Sequence, residues 1–462
     1  MQLVHENDHW RMRAATGLGI AGVFLFFLLG LRSTSAFSLS LLLVVAGLIM
    51  SADRVWRPLS REPLFWLAFL LFLWVLFRGW ADIAMADQHA REVDARSVWH
   101  HARYGLFVPI LFGLWIAAYW HLRHLILLVL AINSLVYYVY RWDTIMERWP
   151  GGGGPSTTAA FNEGAIVALV MIFVSSGLAA MTLSSARSEV YRYRWYLLAV
   201  ALPTLAASIV VFIICQARGA WLAFLVTLAS VAVIALYASW GKSDRRVRLM
   251  VYAGLGCGLL VIATVAIAAW DVIVARLTRD QETLAVLLGG NLSPETVPGG
   301  AFGDRLRMQV QGLIDIQAHP LWGVGPASIR DMAHEIWGKP WRGTGDYHNT
   351  WLNLTVTMGI PWAVLALVAH AWLLCRGLHQ LLVRERDFIM AWVIGGAALA
   401  QFIALVFSVR IWGGFAGTSI YILVVALLGA AALRGRGHSS TCRADAGGHN
   451  TLATAPTISR DG

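Results

Sequence analysis

The chain has 462 residues, of which 58% are hydrophobic and only 13% charged, and its mean hydropathy is +0.63. Soluble domains carry about 25% charged residues, so a soluble globular protein is excluded. The net charge of +10 does not mark a nucleic-acid binder, because no soluble basic domain exists to do it; membrane proteins collect Arg and Lys in the loops that stay inside.

Apolar runs of ~17–25 residues, enough to cross a ~30 Å hydrocarbon core, predict an all-α polytopic membrane protein with about twelve spans. They fall near 14–31, 36–50, 63–77, 104–120, 124–140, 161–183, 195–215, 220–240, 249–269, 351–375, 388–409 and 417–433. The domain plan is transmembrane helices 1–9 over 1–269 and an external loop with amphipathic helices over 270–350. Helices 10–12 cover 351–433, and a disordered cytoplasmic tail covers 434–462. The start, MQLVHENDHWRMR, leads into the first run without a small-residue cleavage site, so that helix is expected to be retained. The 22 tryptophans fit interfacial anchors. The four cysteines, Cys215, Cys257, Cys375 and Cys442, are scattered without a CxxC, so neither a disulfide framework nor a zinc site follows.

Orientation comes from Arg and Lys in the short loops. Arg54, Arg57 and Arg61, Arg187, Arg192 and Arg194, Lys242 to Arg248 and Arg384 to Arg386 fall on the side of both termini. That places both termini inside and the long loop outside.

Along the outside, the 78–103 loop is of mixed charge and reads as a solvated face. The 141–160 loop carries Arg141 and Arg148 beside Gly151–Gly154. That glycine run lacks the Lys-Ser/Thr and the preceding strand of a nucleotide loop. A tight turn, QARGAW, puts Arg218 at the outer surface, and Arg410 lies between the last two spans. Arginine binds phosphate oxygens in bidentate fashion, while short outer loops are depleted in it. The plainer reading of each is a snorkelling side chain; together they imply an anionic partner at the outer leaflet. Glu92, Asp94, His100 and His101 form no Asp-x-Asp or His-x-x-x-His spacing, so no metal and no other cofactor is expected.

In the long loop, Leu306, Val310, Leu313 and Ile314 mark one face of an amphipathic helix. Asp304 is a plausible N-cap, His319-Pro320 ends the run, and Gly323 and Gly325-Pro326 force a turn. Arg305 and Arg307 sit in the first turn, where the dipole disfavours cations, a placement that makes sense if an anion binds there. Asn349 or Thr350 can cap the next span, which holds His348 at a positive helix end. That end opposes protonation, leaving a neutral imidazole able to accept a proton beside an anion site. The bland alternative is a histidine that only bonds a loop carbonyl.

Three elements match one family. Gln216-Ala-Arg218-Gly-Ala-Trp221-Leu resembles the S-R-G-A-W/x-L element of the O-antigen ligase/polymerase superfamily, with Gln216-Ala217 where Ser or Thr is usual. Gly303-Asp-Arg305 leading to His319-Pro-Leu-Trp-Gly-Val-Gly325 is similar to its G-R…hP-l-G-v-G element. His348-Asn349-Thr-Trp-Leu352, followed by Met358-Gly359-Ile360, is similar to its H-N-x-x-L…x-G-i element. The three occur in family order.

The resemblance implies a GT-C-like membrane glycosyltransferase of a Gram-negative inner membrane. Its donor is an undecaprenyl-pyrophosphate-linked glycan. His348 would be the catalytic base and Arg218 and Arg305 the pyrophosphate clamp. Arg141, Arg148, Arg410 and Asn349 are weaker candidates for the same anion or for the acceptor. The single long loop between helices 9 and 10 fits a ligase with a lipid A–core acceptor. The polymerase and the protein O-oligosaccharyltransferases of the same superfamily are the near alternatives. A lipid or polysaccharide transporter is the distant one, and it would place ionisable groups near the midplane; the few polar residues within the spans are chiefly Asn133, Gln401 and His370, the last near the inner end.

Overall fold

A computed structural model describes residues 2–29, 33–51, 60–89, 98–99, 101–102, 105–146, 158–184, 190–215, 217–240, single positions between 256 and 278, 281–290, 292–326, 347–407 and 415–433. Among these residues every regular element is helical. In chain order they are α1 Gln2–Leu29, α2 Thr34–Met50, α3 Pro63–His89, α4 Phe107–Ala118, α5 Arg123–Tyr140, α6 Trp142–Met146, α7 Thr158–Ser184, α8 Val190–Cys215 and α9 Arg218–Trp240. After these come α10 Gln281–Gly289, α11 Ala301–Ala318, α12 Thr350–Met358, α13 Ile360–His379, α14 Gly396–Phe407 and α15 Phe415–Leu433, with short helical pieces at Trp120–Leu122, Gln380–Arg384, Phe388–Met390 and Ala391–Gly395 between the longer helices.

Among the described residues seven helical stretches are long and apolar enough to cross a membrane, the last of them running from Phe388 into α14, and four shorter apolar helices accompany them. The multi-pass, all-helical plan therefore stands. The expected run at 249–269 lies almost wholly outside the described residues, as do the tail after 433 and the glycine run at 151–154.

The centre of the bundle is α7, which packs along α8 and against α14 and α15. Its apolar window Gly164–Leu183 is 78% buried, and the hydrophobic core is continuous from Val23 to Ala432. At one end, Arg376 of α13 donates to both carboxylate oxygens of Glu62 at 2.7 and 3.3 Å. That pair fixes α13 to the start of α3.

The structure corrects four expectations. The predicted span 351–375 is two helices, α12 and α13, broken at Gly359, whose φ of +86° suits only glycine. The predicted span 63–77 continues as helix to His89, and the side chains of Arg78 and Asp82 are only 12% and 4% exposed. This part of the 78–103 stretch is not a solvated face. The amphipathic helix α11 of the long loop starts at Ala301 with Gly300 in the cap position, so Asp304 is in the first turn rather than its N-cap. Leu306 and Val310 are buried as the apolar spacing predicts, but Leu313 and Ile314 are 54% and 43% exposed, because the other covered face of α11 runs through Met308 and Gly312.

Candidate active site

Two faces of α11 are buried. Leu306 and Val310 close on Val297, with Val286 of α10 alongside. Met308 closes on Val324, Tyr347 and Val356, with Leu352 of α12 alongside. The approach of α11 to α12 is close: a Cβ on Gly312 would meet the Leu352 side chain at 2.8 Å. The loop helix is thus seated on the short helix that follows His348.

The turn after α11 pairs with the far end of α12. Val324 N–H donates to Val356 O at 2.8 Å, Gly325 N–H to Thr357 O at 3.0 Å, and Ile360 N–H to Pro320 O at 2.8 Å. Gly323 and Gly325 have φ of +64° and +96°. A Cβ on Gly323 would meet the Val356 and Thr357 backbone at 2.5 Å, and one on Gly359 would strike the Leu321 carbonyl. The two glycine motifs, far apart in sequence, are two halves of one contact.

The segment entering α12 is braced on both sides of His348. The Tyr347 N–H donates to Asn353 Oδ1 at 2.8 Å, and its hydroxyl donates to Asp315 Oδ2 at 2.5 Å. Gln311 donates to the other oxygen of that carboxylate at 3.0 Å. Burial first, and then the Asp315 carboxylate, push the Tyr347 phenol well above its ordinary range. On the other side, Asn349 Oδ1 accepts the Leu352 N–H at 3.1 Å, the N-cap of α12. His348 itself is half-buried with φ of +51°. A non-glycine residue held in the left-handed region costs of order 1–3 kcal/mol and persists where neighbours over-determine it. Here the neighbours are Tyr347 and Asn349.

Beneath α12 a mainly apolar pocket lies among α3, α12, α13 and α15, with His101, Thr350, Trp351, Trp362, His370 and Tyr421 in its wall. His370 stands in the middle of α13, further from the helix end than its place in the expected single span. Its Nδ1 lies 2.7 Å from the Ala366 carbonyl and its Nε2 2.5 Å from the Tyr421 hydroxyl. A carbonyl only accepts, so Nδ1 carries the proton and Nε2 accepts from Tyr421. Asn133 donates to the Phe27 carbonyl at 2.8 Å, and Gln401 is 1% exposed. Asn133 and His370 thus bridge neighbouring turns and helices.

Residues 203–367 match the family model described as O-antigen ligase. Over this segment the chain is similar to that family, which supports the O-antigen ligase/polymerase superfamily. A comparison with curated proteins finds no match. The ligase-family segment includes Arg218, Arg305, His348 and Asn349, and leaves out Arg141, Arg148 and Arg410. A multi-pass membrane protein of a glycosyl-transfer superfamily is thereby supported.

Within that segment, Arg305 shares a helical stripe with Met308 and Gly312, the residues that face α12, and stands two turns or ~10 Å nearer the start of α11. Arg307 donates to the Val297 carbonyl at 2.6 Å, which ties it to the preceding loop. Arg218 opens α9; its side chain lies outside the described residues. The turn before it is held by the Trp221 N–H on the Ala217 carbonyl at 3.0 Å and the Trp221 indole on the Phe212 carbonyl at 3.3 Å. Outside the segment, Arg141 caps α5, is exposed, and lies over the Tyr140 ring at 5.6 Å. Arg148 and Arg410 lie outside the described residues. Sequence reasoning missed Asp315, Tyr347 and Asn353. The available signal was a carboxylate deep inside an amphipathic helix, Asp315, and an aromatic beside the histidine.

Proposed function

We propose that this protein is an O-antigen ligase that transfers a glycan from undecaprenyl pyrophosphate to a sugar hydroxyl of lipid A–core. His348 removes the acceptor proton as the acceptor oxygen bonds the anomeric carbon. The bond from that carbon to the pyrophosphate oxygen breaks, its electron pair leaves with undecaprenyl pyrophosphate, and the configuration inverts. Positioned base catalysis contributes typically 10²–10⁴-fold. Arg218 and Arg305 hold the pyrophosphate and offset the charge that develops on it. Arg141, Arg148 and Arg410 serve the same anion or the acceptor's phosphates, and Asn349 orients His348 through its cap. The reaction needs no metal. It takes place at the periplasmic face of the inner membrane, with both termini in the cytoplasm.

The observation that carries this reading is the strained His348, braced by Tyr347 and Asn349, inside the ligase-family segment. The glycine contact that seats the Arg305 helix on the His348 helix supports it. The test is reconstitution of the purified protein in detergent with undecaprenyl-pyrophosphate glycan and two acceptors, lipid A–core and a second copy of the donor. Extension of lipid A–core is expected. Extension of the donor alone would make it a polymerase, and no transfer without a sealed compartment would favour a transporter.

A further inference from the structure

We propose that Arg78 and Asp82, outside the family-matched segment, are positioning residues for the candidate site. They hold the 319–326 turn, and through it the placement of α11 relative to α12. The proposal rests on the roles given to Arg305 and His348 above.

The contacts are specific. Arg78 Nε donates to the Trp322 carbonyl at 3.0 Å and Nη2 to the Gly323 carbonyl at 3.2 Å. Nη1 pairs with Asp82 Oδ1 at 2.5 Å. The planar guanidinium offers its donors in a fixed fork, so the three bonds set the height and angle of the turn over α3. Asp82 does the rest: its carboxylate occupies the space a Cβ on Gly325 would need. One turn earlier, Trp74 stacks on Trp362 with ring centres 4.1 Å apart and meets Trp322 at 5.3 Å. Trp74, Arg78 and Asp82 follow at i, i+4 and i+8, one face of the helix. That face touches the turn and the start of α13.

An apolar stripe would cover the turn equally well. A buried ion pair is weak evidence for stability, and its best-attested use is to fix a register. On the turn itself Arg78 contacts backbone carbonyls, so it fixes where the turn sits, whatever residues it carries. The turn in turn pairs with Val356 and Thr357. The tail of α11 and the tail of α12 are therefore clamped at one point, while Arg305 and His348 sit toward their front ends. A slip at the clamp is carried along both helices, and a misplacement of ~1 Å far from the chemistry can cost ~10²-fold in rate.

The experiment joins hydrogen exchange to steady-state transfer on the full chain in detergent. In Arg78→Ala, amide exchange in peptides covering 319–326 and 356–360 should rise about tenfold or more, the scale of losing hydrogen bonds from a charged donor, while α7 peptides stay unchanged. The kcat for transfer should fall at least about tenfold with donor KM within about twofold. Arg78→Lys keeps the charge but cannot serve both carbonyls, so it should restore neither reading fully. Asp82→Asn should give an intermediate effect, and these two variants decide the matter if Arg78→Ala does not insert. Unchanged exchange at 319–326 would overturn the proposal, and so would raised exchange with unchanged kcat. If the wild-type protein transfers to neither acceptor, the functional reading fails, and the exchange measurement still decides whether Arg78 clamps the turn.

Discussion

The Tyr347 hydroxyl donates to the Asp315 carboxylate at 2.5 Å, immediately before His348 in the chain. This bond joins the loop helix to the residue whose backbone is strained. Hydrogen bonds to charged groups contribute ~1.5–3 kcal/mol. Tyr347→Phe should therefore lower kcat by about 10–100-fold and lower Tm by a few degrees. Asp315→Ala should be the more severe, because it leaves a buried phenol without an acceptor. A transfer assay and a melting curve on each variant check this.

The same phenol gives a pH signature. Its pKa is raised in the folded protein by burial and by Asp315, against about 10 in the unfolded chain. The folded state then keeps a proton that the unfolded state has lost. The contribution is fully present below pH ~10 and declines as pH rises from there toward the folded value. Melting of the wild-type protein from pH 8 to 11 should show a loss above pH ~10 that is smaller in Tyr347→Phe. Parallel curves would show that Tyr347 does not titrate in this way.

The motif glycines should be intolerant in proportion to what surrounds them. Gly323→Ala, Gly325→Ala and Gly359→Ala each put a Cβ into backbone or into Asp82 at positive φ. The left-handed conformation alone costs roughly 1–2 kcal/mol, and the overlap adds to it. Gly429→Ala is the control: nothing lies within 4 Å of its added Cβ, and in a helix alanine is favoured by ~1 kcal/mol. Thermal stability should fall in the first three and hold or rise in the fourth.

Asn349 should be replaceable by residues that cap. Asn349→Ala should destabilise by ~0.5–2 kcal/mol, while Asn349→Ser and Asn349→Asp should lose little. If transfer follows the same order, the side chain acts by orienting His348. If Asn349→Ser and Asn349→Asp are as inactive as Asn349→Ala, the amide has a direct role.

His348→Ala should abolish transfer and leave binding of the donor lipid nearly intact, whereas Arg218→Ala should weaken both. Binding is read by scintillation or fluorescence with a labelled donor, and transfer by product mobility. Wild-type-like transfer by His348→Ala would remove it as the base.

How far the sequence was readable depends on the range of the interaction. The Asn349 cap and the helix end at His319 rest on neighbours in the chain, and both were legible. The break at Gly359 was not, because hydropathy runs unchanged from Trp351 to Leu374 while the cause is the Leu321 carbonyl lying against that glycine. Arg78 and Asp82 were read as loop because the apolar run stops at Phe77, yet the helix continues on partners more than two hundred residues away. Likewise Leu313 and Ile314 carry an apolar spacing that the stripes covering α11 leave exposed.

One feature of α12 bears on how the two halves of the candidate site stay in step. The 327–346 connector departs from a turn paired to the last residues of this nine-residue helix and returns at Tyr347, bonded to Asn353 within it. Its two attachment points are thus held on one rigid piece ~13 Å long. The histidine and the loop helix are thereby placed by contacts within α11, α12 and the 319–326 turn. A change that breaks α12 would therefore displace both at once.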